Sequence, residues 1–276
     1  MAVDYERSDA AVEAARAIDA TDPIHGVVSF TEYGLLPAAE IREALGCAGN
    51  PLLPVQLTRD KVAMRERMAS RGFPTVRFRR CESPSALADF RAGLDGPMIV
   101  KPIRGTGSEG VNLVRRLDDP GAAWAAAAVD GAALAEAYIV GPEVSVETLS
   151  LGGRHEIVAV TEKLTTGSPH FVEIGHQLPA QRTDAIAAAA RMAVAFLDLV
   201  GHETGPAHTE IRSSEEGPRI VESQTRPGGG FIWEMVHLCT GVDLVAETFA
   251  YLAGTPPPPR VAVADAAAIR FFAESD

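Results

Sequence analysis

Two carboxylates and an amide stand on neighbouring apolar segments in the last third of the chain, His208-Thr-Glu210-Ile and Glu222-Ser-Gln224-Thr-Arg226-Pro-Gly-Gly-Gly230. Residues two apart in an extended chain share a face, so Glu222, Gln224 and Arg226 are expected to point into one cleft. Glu210 on the adjacent strand adds a second carboxylate, and Glu210, Glu222 and Gln224 together make a hard-oxygen site suited to Mg2+. A second group lies upstream. Pro97-Met-Ile-Val-Lys101-Pro102 puts an ammonium at the end of an apolar strand, where it would be costly without an anionic partner. Near it in sequence are Lys61, on a segment that reads as helix, and the glycine-rich loop Gly105-Thr-Gly107-Ser108-Glu-Gly110.

That loop matches GxGxxG, which invites a dinucleotide-binding reading. The reading fails on the next segment: Val111 to Val114 is a β-branched, strand-forming stretch where a helix N-terminus is required, and no suitable acidic residue comes after it in a βαβ unit. No GK[ST] makes a P-loop. A strand–loop–strand flap, with Gly107, Ser108 and backbone N–H groups closing over phosphates, suits the composition better. His170, His176, His202 and His208 lack the spacing of a zinc site, and no GxSxG elbow is present.

The elements that must position these groups are short and mixed. Helices are predicted for Ser8 to Ala20, Arg59 to Arg71 (capped by Thr58), Ser83 to Ala92, Pro120 to Val129, Thr183 (as cap) to Leu199, and Glu234 to Ala253 with a break near Gly241. Strands are predicted for Ile24 to Phe30, Thr75 to Arg79, Met98 to Pro102, Leu134 to Val140, and Ala266 to Phe272. Two hairpins join them: Val144 to Leu151 with Glu156 to Glu162, and Ala207 to Arg212 with Pro218 to Glu222. Glu32 to Pro37 reads as loop. A single helix–strand unit at the N-terminus cannot make a sheet alone.

With 276 residues, 46% of them hydrophobic, the chain has ample material for a core, and its net charge of −12 argues against broad contact with nucleic acid or an anionic membrane. Three isolated cysteines and no apolar leader point to a reducing, cytoplasmic setting.

In order along the chain, a helical lysine, a strand lysine, the flap, Glu136-Ala-Tyr138-Ile139, Glu143, and the paired C-terminal carboxylates resemble the ATP-grasp superfamily. Thr161-Glu-Lys163, Phe171-Val-Glu173-Ile-Gly-His176 and His208-Thr-Glu210 are similar to its L-amino-acid ligase group, the bacilysin-synthesis type. The resemblance implies an α+β ATP-grasp fold, two α+β subdomains gripping ATP, with residues 58–140 and 141–276 as the subdomains and 1–57 as the remnant of an α/β domain. It further implies that Lys61 and Lys101 contact nucleotide phosphates, Glu136 receives the adenine amino group, the Tyr138–Ile139 backbone frames the base, and Glu143 binds ribose hydroxyls. Lys163 would reach the γ-phosphate, Glu173 and His176 line an amino-acid pocket, and Arg226 with the loop around Gly229 stabilise an acyl phosphate. Two Mg2+ ions are implied, with Mn2+ as a substitute; Gln224 stands where the family usually has asparagine.

The activity so implied is ADP-forming ligation of a small-molecule carboxylate to an amine. Rival readings are a carboxylase of the same superfamily, which would require bicarbonate, and a nucleotide-binding chain without catalysis. Relative to the family both ends read as short, so self-association or a partner over uncovered strand edges is expected.

Overall fold

The computed structural model describes residues 8–167, 171–181 and 183–272; His170 and the side chain of Thr183 lie outside the described residues. The chain runs α1 (Ser8–Asp19), β1 (Gly26–Val27), a 3-10 turn (Glu32–Gly34), α2 (Leu35–Leu45), β2 (Ala48–Gly49), α3 (Leu52–Arg59) and α4 (Lys61–Ser70). Next come β3 (Phe78–Cys81), α5 (Pro84–Ala92), β4 (Met98–Pro102), β5 (Asn112–Val114), α6 (Gly121–Ala127) and β6 (Ala133–Ala137). The remainder is β7 (Glu143–Leu151), β8 (Arg154–Thr165), β9 (Glu173–Leu178), α7 (Thr183–Val200), β10 (Thr204–Ser214), β11 (Gly217–Gln224), α8 (Ile232–Thr240), α9 (Leu244–Leu252) and β12 (Ala267–Arg270).

These strands form a two-stranded pair, a four-stranded sheet of order β3-β6-β4-β5, and a six-stranded sheet of order β11-β10-β7-β8-β9-β12. Strand alternation gives each of the larger sheets an apolar face and a chemical face. In the small sheet Met98, Val100, Ala133 and Ala135 pack under α5 and α6 with Leu87 and Phe90, which turns Ile99, Lys101 and Glu136 the other way, into a cleft. In the large sheet Val144, Val146, Ala207, Ile211 and Ile220 pack under Phe196 and Leu197 of α7 and under Met64 and Met68 of α4. The intervening residues then face the small sheet. Helices α8 and α9 cover the far end of that face with Ile232, Met235 and Leu244 on Leu149 and Leu178.

Several sequence-based expectations are corrected. Of the strand predicted over Ile24 to Phe30, only Gly26–Val27 pairs, in parallel with Ala48–Gly49, so its partner lies within the same chain. The predicted loop at Glu32 to Pro37 is the 3-10 turn and the first turn of α2, where a proline is tolerated. The helix predicted over 59–71 is α4, which starts at Lys61 because Arg59 ends α3, and its cap is Asp60, whose carboxylate accepts from the Val62 and Ala63 N–H groups. Thr58 is buried at the end of α3, with its hydroxyl donated back to Pro54 O at 2.8 Å. A break in the chain at Asp60 (φ −113°, ψ 103°) makes the carboxylate available to the new helix, which Thr58, inside the preceding one, cannot do. Strand β3 starts three residues later than expected, and β12 pairs with β9 at the edge of the large sheet. Among the described residues no helix is long and apolar enough to cross a membrane.

The cap yields a direct test. Asp60→Ala should lower unfolding stability by about 1 kcal/mol, measured by urea denaturation, whereas a change confined to the expected cap, Thr58→Val, should leave the start of α4 intact by helical circular dichroism.

Candidate functional site

An open cleft lies between the chemical faces of the two sheets. On the large sheet the ladder register builds its floor. Gln224 opposes His208 and Glu222 opposes Glu210; Arg212, Glu210 and His208 oppose Glu143, Ser145 and Glu147; Lys163 opposes His176. One irregularity matters. Glu210 pairs with Glu222 but Ile211 pairs with Ile220, so Val221 is an extra residue, and this β-bulge lets Ile220 enter the apolar core while Glu222 faces the cleft.

Lys163 is the centre of the floor. Its ammonium lies 2.5 Å from both Glu210 and Glu173 and 3.5 Å from Glu143. Burial would lower its pKa, but the three carboxylates outweigh burial and hold the group charged. Burial likewise opposes ionisation of Glu173, yet His176 and Lys163 beside it hold the carboxyl at about 2. Glu210 is held well below the usual range by Lys163 and His208 against the same penalty. Buried His208 is pushed up to about 9 because its ring lies between Glu147 and Glu210. Arg212 binds Glu143 (2.7 Å), the Tyr138 hydroxyl (2.7 Å) and Ile139 O (3.2 Å), with its guanidinium over the rings of Tyr138 and Phe171.

The opposite wall is basic. Lys101 Nζ lies 2.6 Å from Glu136 Oε1, while Arg65 Nε takes Oε2 of the same carboxylate at 2.9 Å. Two buried cations share one anion. Accordingly burial, with Arg65 repelling, lowers the Lys101 pKa despite its partner, while Glu136 is held at about 2 by Arg65 and Lys101 against a burial penalty that would raise it. Such a surplus of positive charge calls for another anion. Lys61 Nζ donates to Gly105 O at 2.8 Å and stands 3.5 Å from Glu222, joining α4, the flap and the large sheet. In the flap, Ser108 has φ 59°, a left-handed conformation that the glycines around it adopt without penalty.

Of the residues singled out from the sequence, Lys61, Lys101, Gly107 and Ser108 line one side of the cleft, and Glu136, Tyr138, Ile139 and Glu143 one end. Lys163, Glu173, Glu210, Glu222 and Gln224 line the other side. Glu136 is more than the acceptor the resemblance implies, since each of its oxygens already serves a cation. Three residues stand outside the cleft wall. His176 is fully buried, with Nδ1 unpartnered and Nε2 at 3.4 Å from Glu173 outside hydrogen-bond geometry. Arg226 is held by Glu32 of the 3-10 turn at 3.0 Å and by Pro227 O, and Gly229 lies in the exposed loop before α8. Sequence reasoning missed Arg65, Arg212, Glu147 and Glu32. The first three had signals: Arg65 is one helical turn after Lys61, Arg212 is two residues after Glu210, and Glu147 continues the polar alternation Glu143-x-Ser145. Glu32 had none.

Glu210, Glu222 and the Gln224 amide are hard-oxygen donors on adjoining register positions, which fits a Mg2+ ion. Gln224 Nε2 lies 2.5 Å from Glu222 Oε1, so these two side chains converge. Among the described residues no group of three or more histidine, cysteine or acidic side chains could hold a metal by itself. A Mg2+ ion here would complete its shell with oxygens from a ligand, as it commonly does with phosphates.

The fold and this arrangement define a protein with a charged cleft between two sheets, and the comparisons specify it. The ATP-grasp domain matches residues 94–234, and the chain belongs to that family. A crystal structure of an L-amino acid ligase from Bacillus licheniformis superposes with a TM-score of 0.76 at 28% identity, over 90% of this chain and 61% of that one. By sequence the chain is 24% identical over 231 residues to the L-arginine-specific L-amino acid ligase of Bacillus subtilis, covering 80% of this chain and 56% of that protein. It is 32% identical over 139 residues to a D-alanine–D-alanine ligase of Albidiferax ferrireducens, covering 50% and 40% respectively. The chain thus spans about half the length of the curated relatives it matches.

The shared carboxylate makes acid behaviour diagnostic. Because the Glu136 pKa falls from an ordinary 4.5 to about 2 in the fold, its stabilising contribution is complete above pH 4.5 and is lost as pH falls towards 2. Glu136→Gln should therefore remove up to one proton from the pH dependence of stability in that window. At neutral pH it should cost roughly 3–5 kcal/mol, because Arg65 and Lys101 are left buried without a counter-ion; urea melts at pH 3, 4 and 7 check both parts.

Proposed function

We propose that this chain is the core of an ATP-dependent carboxylate–amine ligase that activates a carboxylate as an acyl phosphate and passes the acyl group to an amine, with amino-acid-like substrates. The carrying observation is the division of charge across one cleft. Lys61, Lys101 and Arg104 face Glu143, Glu173, Glu210 and Glu222 on the large sheet, whose charge Lys163, Arg212 and His208 neutralise only in part. A polyphosphate with a divalent cation is matched to that pair of walls.

In this reading residues 58–140 and 141–276 are the gripping units, with 1–57 as an appended α/β segment. The Tyr138–Ile139 backbone and Glu136 frame the base, Glu143 takes ribose hydroxyls, and Lys61 and Lys101 hold phosphates beneath Gly107 and Ser108. Glu210, Glu222 and Gln224 would hold Mg2+, whose charge would neutralise the β- and γ-phosphate oxygens. A substrate carboxylate oxygen attacks the γ-phosphorus, and the bond to the bridging oxygen breaks to release ADP. The amine then attacks the acyl carbon, inorganic phosphate leaves and the amine loses a proton. Lys163 follows the transferring group, Arg226 and the loop at Gly229 hold the carboxylate, and Glu173 receives the amino-acid substrate with the buried His176 ring behind it at 3.4 Å. Positioning and charge neutralisation supply the acceleration without a protein nucleophile.

Two experiments test this. With ATP, Mg2+ and a panel of L-amino acids, the nucleotide product should be ADP, and hydroxylamine should trap an acyl hydroxamate; AMP and pyrophosphate would eliminate the acyl-phosphate route. Glu222→Ala should reduce ATP turnover by on the order of a hundredfold or more with unchanged circular dichroism, and turnover at the parent rate would remove the metal assignment.

Arg226 separates coupling from nucleotide binding. A lysine cannot reproduce a planar fork on a carboxylate, so Arg226→Lys should depress amide formation at least tenfold more than ADP affinity. Equal losses would move Arg226 to the nucleotide side.

A further inference from the structure

Glu147 is a charged residue in the middle of a sheet strand, 1% exposed and absent from the wall of the cleft. Both of its oxygens face the same atom, His208 Nδ1, at 2.8 and 3.0 Å. Among the described residues the side-chain hydrogen bonds of Glu147 all go to that ring. The other ring nitrogen, His208 Nε2, stands 3.3 Å from Glu210 Oε1. Lys163 Nζ reaches the same oxygen, at 2.5 Å. Two donors converge on Oε1, and among the described residues none of the hydrogen bonds to Glu210 ends on Oε2.

We infer that Glu147 and His208 are a positioning pair that pins Glu210 by one oxygen and so presents the other to the cation, a reading that rests on the metal role proposed above for Glu210. A metal-ligating carboxylate needs an outer partner to fix its direction, and loss of such partners typically costs metal affinity 10- to 100-fold. Lys163 alone is a poor holder. Its ammonium is divided among Glu210, Glu173 and Glu143, and in the proposed reaction it turns to the transferring phosphoryl group. When it does, His208 is the donor that remains on Glu210.

Two features fix the pair itself. The cross-strand register places His208 directly opposite Glu147, with Glu210 two residues along on the same face. The loop after Arg226 then closes on them: a Cβ on Gly228 would lie 2.8 Å from His208 Nδ1 and 3.1 Å from Glu147 Oε2. Glycine at this position serves close approach, and the backbone resting on the ring prevents the imidazole from swinging away. Glu147 thus orients His208, and His208 orients Glu210.

The test is calorimetric titration of the whole chain with ADP plus Mn2+, and with ADP in EDTA, for the parent, His208→Ala, His208→Gln and Glu147→Gln. For His208→Ala, affinity for ADP with Mn2+ should fall 10- to 100-fold, while affinity for ADP in EDTA stays within about twofold. His208→Gln should recover at least part of the loss, since its amide can donate to Glu210, and Glu147→Gln should weaken only the metal-dependent binding. A general structural role would instead lower both affinities together, with no recovery by glutamine. Equal losses with and without metal, an unchanged Mn2+ effect in His208→Ala, or failure of both His208→Ala and Glu147→Gln to fold would overturn the assignment. A parent chain that binds no ADP under either condition would overturn the ligase reading, and one that binds ADP with no gain from Mn2+ would overturn the metal role of Glu210; both are distinguishable from failure of the positioning pair alone.

Discussion

Arg65 is fully buried, and its guanidinium touches both halves of the cleft. It binds Glu136 on the small sheet at 2.9 Å, and at 3.1 Å it binds the carbonyl of Val221, the extra residue in the bulge of the large sheet. Lys101 repeats the pattern with the same carboxylate and, at 3.5 Å, the same carbonyl. A buried guanidinium is tolerated only when its donors are met, so the two sheets must approach at the distance that meets them. The cleft width is set by that requirement. So is the local charge, because one carboxylate cannot neutralise two cations.

The bulge has a second consequence. It re-aims Glu222 from the apolar face to the cleft, opposite Glu210, and its carbonyl is the atom that Arg65 holds. The acidic pair and the basic wall are thereby tied to one backbone irregularity. Carboxylates and lysines on two separate sheets could drift independently; here a shift of β11 would disturb both. Lys61 adds a third tie, since it reaches the flap carbonyl of Gly105 and Glu222 from the first residue of α4, whose start is set by the Asp60 cap.

The large sheet also shows how a strand can be buried and still polar. Glu147, Ser145 and Thr161 are almost without exposure, on the face opposite Val144 and Val146. Glu147 is satisfied by His208, while the Ser145 and Thr161 hydroxyls have no hydrogen-bond partner among the described residues. Burial of such groups costs free energy, and these two lie in the same row of the ladder as Glu210.

Much of this was legible in the chain. The helix over 8–19, the Gly152-Gly153 hairpin, the flap between β4 and β5, and the pair Glu210 and Glu222 all come from local rules: periodicity, turn chemistry and the two-residue repeat of a strand. Those rules act over a few residues, so they could not identify Asp60 over Thr58 as the cap, which depends on where α3 ends. They also could not pair Ile24 to Phe30, whose strand partner is a two-residue segment beyond a helix that starts in a stretch with the composition of a loop. Residue types alone marked the lysines, carboxylates and glycines as candidates for one charged site. Only the tertiary structure decided which carboxylate each cation holds, because Arg65 and Glu136 are 71 residues apart, Lys163 and Glu210 47, and Arg226 and Glu32 194, and nothing local in a sequence encodes the register that brings them together.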